Sequence, residues 1–244
     1  MKIAILLYGE LRTFESAVKT WNVLNLPNVD CYIHSQNQSY SKFYKTVTDI
    51  KKEQLFNNLN IKKIVLEDRL EFQKNNPSKD LHLNHRSWRF LNNMIEGEYD
   101  IVIINRLDTT MYIDNLESLL NNFDNNNLYT RHEVYSDFIE DHFFMGSFNV
   151  IKYFLNNLPK PDKLINSHKD ILKYIKSLPF TYNTHKEIVA FHLRENMNSY
   201  IEDYFHENPN KVKLDDKKFY EYICKFNWNT FSILEDEYLK IAKK

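Results

Sequence analysis

The 244-residue sequence predicts an α/β fold with a mostly parallel central sheet and helices on both faces. Short apolar runs that read as buried strands, at Ile3–Tyr8, Val29–Ser35, Ile61–Glu67 and Ile101–Ile104, alternate with segments whose apolar residues recur at helical spacing. Strands separated by helices need crossover connections, which pair the strands in parallel and leave two apolar faces to cover. Composition agrees, because 43% hydrophobic and 15% aromatic residues can fill one sizeable core at this length.

The elements follow in order. KIAILLYGE is an apolar strand that breaks at Gly9, and FESAVKTWNVLNL carries Phe14, Ala17, Val18, Trp21 and Leu24 on one helical stripe before Pro27 stops it. VDCYIHS is the second strand, a polar, lysine-rich helical stretch follows, and IKKIVLE is the third strand. LHLNHRSWRFLNNMI predicts a helix leading into the strand of DIVIINRLDTTMY. LESLLNNF reads as a short helix, NLYTRHEVY as an extended segment, and DHFFMGS as a strand or loop handing over to the helix FNVIKYFLNNL. Beyond Pro159 and Pro161, KLINSHKDILKYIKSL and THKEIVAFHLREN read as helices, and FYEYICKFNWNTFSILEDEYL as an amphipathic helical cap. The chain 1–244 is read as a single domain, with a core to about residue 158 and a helical extension over about 159–244.

Several function classes are excluded at this level. A net charge of −1 supplies no field for gripping nucleic acid or an acidic membrane surface. The three glycines, Gly9, Gly97 and Gly146, form neither GxGxxG nor a P-loop. Cys31 and Cys224 lack CxxC spacing, and the nine histidines form no HExxH, so neither a disulfide framework nor a zinc site is indicated. No segment reaches the roughly 20 apolar residues of a membrane span, and the expectation is a soluble, cytoplasmic chain.

The strand Ile101–Ile104 ends in Arg106 and Asp108, opposite charges at the carboxyl end of a buried strand, where open α/β sheets place their ligands. They could be a local ion pair. Alternatively, Asp108 offers an oxygen to Mg2+ or Mn2+ while Arg106 faces a phosphate or carboxylate.

Four motifs in order, YGELRTF, DCYIHS, YDIVIINRLD and DHFFMGS, resemble the pattern SGQxRTF, DVFIHTW, YDxVIRxRxD and DxFFxG of a group of bacterial and viral glycosyltransferase-like proteins. The resemblance spans roughly the first 150 to 190 residues. It implies a GT-A fold, a nucleotide-sugar donor, a saccharide or other glycan acceptor, and Mn2+ or Mg2+ held by Asp108 at the second position of a DxD motif. Arg106 departs from that motif by replacing its first aspartate. On the same resemblance Gly9, Arg12, Thr13, His34, Arg106 and Asp108 line the donor site, Asp141 is the candidate base with Glu140 beside it, and Glu187 matches a late acidic position. Residues from about 159 onward would then form the acceptor side. Two other readings stand beside it: a nucleotidyltransferase or sugar-phosphate enzyme on a similar sheet, and a catalytically silent glycan- or protein-binding relative.

Overall fold

The computed structural model describes residues 1–11, 13–41, 46–49, 59–68, 81–131, 139, 141–159, 168–185 and 188–190. In chain order these form β1 (Ile3–Gly9), α1 (Phe14–Val18), a 3-10 turn (Asn22–Asn25), β2 (Val29–Gln36), β3 (Gln38–Ser41), β4 (Thr46–Asp49), β5 (Ile61–Glu67) and α2 (Leu81–Met94). Then come β6 (Ile101–Arg106), β7 (Tyr112–Ile113), α3 (Leu116–Asn121), β8 (Asn127–Arg131), β9 (Phe143–Ser147), α4 (Phe148–Asn156), α5 (His168–Lys176), β10 (Thr181–His185) and β11 (Ile188–Val189).

Seven strands make one sheet in the order β10-β8-β9-β6-β1-β2-β5. All neighbours pair in parallel except β9, which runs antiparallel to both β6 and β8. This is a GT-A-like α/β fold. β1 is buried along nearly its whole length, and its alternate residues feed two separate cores. Ile3, Ile5 and Leu7 pack with Phe14, Trp21 and Met111 on one face. Ala4, Leu6 and Tyr8 pack with Trp88 of α2, Phe154 of α4 and Ile171 of α5 on the other. The edge strands β5 and β10 are half-exposed, as strands with one open flank are.

Three local expectations change. Part of the polar stretch after β2 is an antiparallel pair, β3 with β4, and the remainder lies outside the described residues. The helix expected at Phe14–Leu26 is one short α-helix and a 3-10 turn, since Trp21 turns inward and its indole N–H donates to the Thr109 carbonyl at 2.9 Å. The helix expected over THKEIVAFHLREN is not formed at its start: Thr181–His185 pairs in parallel with β8, and Ile188–Val189 pairs with β7. The sheet therefore runs past residue 158. Among the described residues no helix is long and apolar enough to cross a membrane. Cys31 is a buried free thiol, its pKa pushed up to about 12 by burial; Cys224 lies outside the described residues.

The glycine of DHFFMGS has a packing reason. A Cβ on Gly146 would lie 3.1 Å from Val150 Cγ1 and 3.4 Å from the Asn127 carbonyl, where α4 turns back over β8 and β9. Ser147 caps that helix by accepting from the Val150 N–H at 3.3 Å.

Candidate functional site

The site is built at the carboxyl ends of β1, β2 and β6. In the sheet register Tyr8 stands beside both His34 and Arg106. Paired residues of parallel strands point to the same face, so these three side chains form a row on the α2 side of the sheet. One residue further, Gly9 takes a φ of +98°, a conformation suited to glycine, and its carbonyl accepts from the Ser35 hydroxyl at 2.6 Å. A Cβ on Gly9 would lie in van der Waals contact with Arg106, 3.9 Å from its Nε.

β6 stops at Arg106, and a tight turn folds Asp108 back onto it. The Leu107 N–H donates to the Tyr8 carbonyl at 2.7 Å, and the Thr109 N–H to the Arg106 carbonyl at 3.3 Å. Asp108 is wholly buried and grips the guanidinium with both oxygens, from Nε at 2.9 Å and from Nη2 at 3.0 Å. The proximity comes from the turn and not from strand alternation, since Asp108 lies beyond the last residue of β6. Arg106 Nη1 lies 3.9 Å from Asp141 Oδ2, an ion pair beyond hydrogen-bond reach. Asp141 is itself only 2% exposed and has His142 Nε2 3.6 Å from its other oxygen. The Arg106 N–H donates to the His142 carbonyl at 3.2 Å, and the Tyr8 hydroxyl donates to the Asp141 carbonyl, which ties the segment before β9 to the end of β6.

Electrostatics follow from these contacts. Burial works against the charge of Arg106, but Asp108 and then Asp141 outweigh it and hold its pKa above the ordinary arginine value. Burial, reinforced by Asp141, pushes the Tyr8 phenol well above its usual range, so it remains a hydrogen-bond donor. Arg106 is a permanent cation with one buried anion locked to it and a second nearby.

His34 plays a different part from the one expected. It is 3% exposed, its Nδ1 is 2.9 Å from the Ser87 hydroxyl, its Nε2 is 3.3 Å from Glu67, and Phe90 stacks on its ring at 4.5 Å. Arg86 in turn grips both oxygens of Glu67. Burial pulls the imidazole pKa down to about 4 despite the opposing Glu67, whose charge Arg86 already shares. The neutral ring is held to α2 through Nδ1 and Ser87, while Nε2 faces Glu67 of β5 without a hydrogen bond, so His34 is buried where β2, β5 and α2 meet.

The structure thus brings together Gly9, Arg106, Asp108 and Asp141 of the predicted residues. Thr13 is buried at the start of α1. Arg12, Glu140 and Glu187 lie outside the described residues. Sequence reasoning passed over Tyr8, Ser35 and Glu67. Each is an ordinary strand residue whose role depends on which strand lies next to it, although Tyr8 directly before Gly9 was a usable signal.

The Mn2+ or Mg2+ implied at Asp108 does not fit these residues. Such cations take several oxygen ligands and keep waters around them. Asp108 has no exposed surface, and both its oxygens already hold a cation. Among the described residues no group of three His, Cys, Asp or Glu side chains is placed to hold a metal ion. A groove of about 700 Å3 does open between Asp100, Ser147, Phe148, Tyr153 and Phe180. It lies at the amino-terminal end of β6, since Ser147 pairs with Ile101, and is remote from Arg106.

No family model matches the sequence, and no curated protein matches it. Among solved structures, the chain is similar to the glycosyltransferase GlyE of Streptococcus pneumoniae, at 12% identity and a TM-score of 0.43 over 75% of this chain and 45% of that one. It is similar to the galactosyltransferase LgtC, in complex with donor and acceptor sugar analogues, at 12% identity and 0.46 over 75% and 73%. It is also similar to 4-diphosphocytidyl-2C-methyl-D-erythritol synthase of Anaerococcus prevotii, at 8% identity and 0.50 over 84% and 98%. The chain thus spans less than half the length of GlyE. The third likeness, at 8% identity, shows the fold alone.

Proposed function

We propose that the chain is a glycosyltransferase that moves a sugar from a nucleotide-sugar donor to the hydroxyl of a glycan or other acceptor. The observation that carries this reading is the Arg106 guanidinium, fixed at the carboxyl end of the sheet beside a side-chain-free Gly9. At such an edge the donor's diphosphate can approach the backbone at Gly9 and meet Arg106. Breaking the bond between the sugar and the diphosphate leaves negative charge on the departing oxygen. A cation already oriented for that oxygen stabilises the transition state more than the ground state and needs no rearrangement during the step. Asp108 supplies the orientation. Asp141, buried against Arg106 and His142, balances the guanidinium in this reading.

The test is a thermal-shift and donor-hydrolysis screen over UDP-, GDP-, CMP- and dTDP-sugars, with nucleoside triphosphates plus sugar 1-phosphates as a second arm. A donor at 100 times its dissociation constant stabilises the fold by about 2.7 kcal/mol, which for a chain of this size is about 5–11 °C in melting temperature. A shift and hydrolysis with one nucleotide sugar are expected. Turnover confined to the triphosphate arm would replace the reading with nucleotidyl transfer, and no response in either arm would favour a silent binding relative.

A further inference from the structure

We infer that Arg106 takes the place of a divalent cation in this chain, and that Asp108 is its positioning residue instead of a metal ligand. The inference rests on the reading of this strand end as a diphosphate site.

The geometry of the guanidinium carries it. Arginine has five N–H donors in a rigid plane. Asp108 takes the side edge of that plane, one donor from Nε at 2.9 Å and one from Nη2 at 3.0 Å. The end of the fork, Nη1 with the second hydrogen of Nη2, is turned away from Asp108. Nη1 has Asp141 at 3.9 Å, too far for a hydrogen bond. Two parallel N–H groups at the end of the fork are the arrangement that binds a phosphate through two of its oxygens. The side chain keeps 15% of its surface exposed while its carboxylate partner keeps none. The arginine side chain is therefore partly open to solvent and the anion is not. A metal approaching Asp108 would have to displace a guanidinium already bound by two hydrogen bonds, and it would meet a like charge on the way. Gly9 adds to the arrangement, because a Cβ there would lie in van der Waals contact with Arg106 Nε at 3.9 Å. The site thus selects a diphosphate through a cation built into the chain, and chelation should leave its affinity unchanged.

The experiment measures binding of UDP, GDP, CDP and dTDP to the full chain by calorimetry, in EDTA and in Mn2+, together with titration of Mn2+ alone. One diphosphate is expected to bind with equal affinity in both buffers, and Mn2+ alone to show no tight site. Arg106→Ala should weaken that diphosphate about 10- to 150-fold, the range for losing charge-assisted hydrogen bonds, in both buffers. Asp108→Asn should weaken it by a similar factor in both buffers, whereas a metal ligand would matter in Mn2+ alone. Binding that requires Mn2+, or a tight Mn2+ site in the empty protein, overturns the inference and leaves the donor-site reading standing. Failure of every diphosphate to bind in either buffer removes the donor-site reading, and the inference with it. Should the variants not fold, the two measurements on the unaltered chain still decide the matter.

Discussion

Acid should destabilise this protein through His34, and the size of the effect can be worked out. The imidazole is buried between Ser87, Glu67 and Phe90, with Arg86 behind Glu67, and its pKa falls from 6.5 to about 4. For a base whose pKa is depressed by folding, the unfolded chain takes up the proton first as the pH drops. The stability contributed by the neutral ring is therefore complete above the unfolded pKa of 6.5, is lost progressively below it, and is gone once the pH passes the folded value near 4. One pKa unit corresponds to 1.36 kcal/mol, so the total at stake is about 3 kcal/mol, of which about 2 kcal/mol disappears between about pH 7 and pH 5. That is roughly 4–8 °C in melting temperature for a chain of this size. Urea unfolding of the native chain and of His34→Gln at both pH values isolates the histidine, because the ordinary carboxylates titrate alike in both. The gap between the two proteins should shift by about 2 kcal/mol toward the variant on acidification. The refuting result is the opposite sign. If Glu67 at 3.3 Å wins over burial, His34 is protonated in the folded state and acid strengthens the native chain relative to the variant.

Two further outcomes follow from the same edge of the sheet. Gly9→Ala should lower stability by about 1–2 kcal/mol through the positive φ alone, because its Cβ meets no atom closer than 3.9 Å; an unchanged melting temperature would show that the left-handed conformation is not required. Tyr8→Phe removes the hydroxyl that donates to the Asp141 carbonyl and leaves that acceptor without this donor, for a loss of about 1–3 kcal/mol in denaturant unfolding. No loss would mean that the segment before β9 is held without it.

The sequence by itself determined the strands with long apolar runs. Ile3–Gly9 and Ile101–Arg106 are buried on both faces, and burial on both faces leaves a continuous hydrophobic run in the chain. It also placed Arg106 and Asp108 at the end of a central strand, since a strand's end is a local event marked by where that run stops. The edge strand Thr181–His185 was not legible: its side chains are half-exposed, most of its residues are polar, and nothing in TYNTH marks it as a strand that pairs with β8. His34 shows the same limit at the site. Its position at the end of β2 was evident, but its burial depends on α2, more than 45 residues further on, delivering Ser87 and Phe90 over it. The grip of Asp108 on Arg106 likewise depends on a turn whose backbone is fixed by Tyr8, a full crossover away, and the nearby Asp141 arrives only because β9 runs antiparallel beside β6. Composition and periodicity report what each residue buries. Which charge faces which is settled by pairings between segments distant in the chain, and only the tertiary structure makes them.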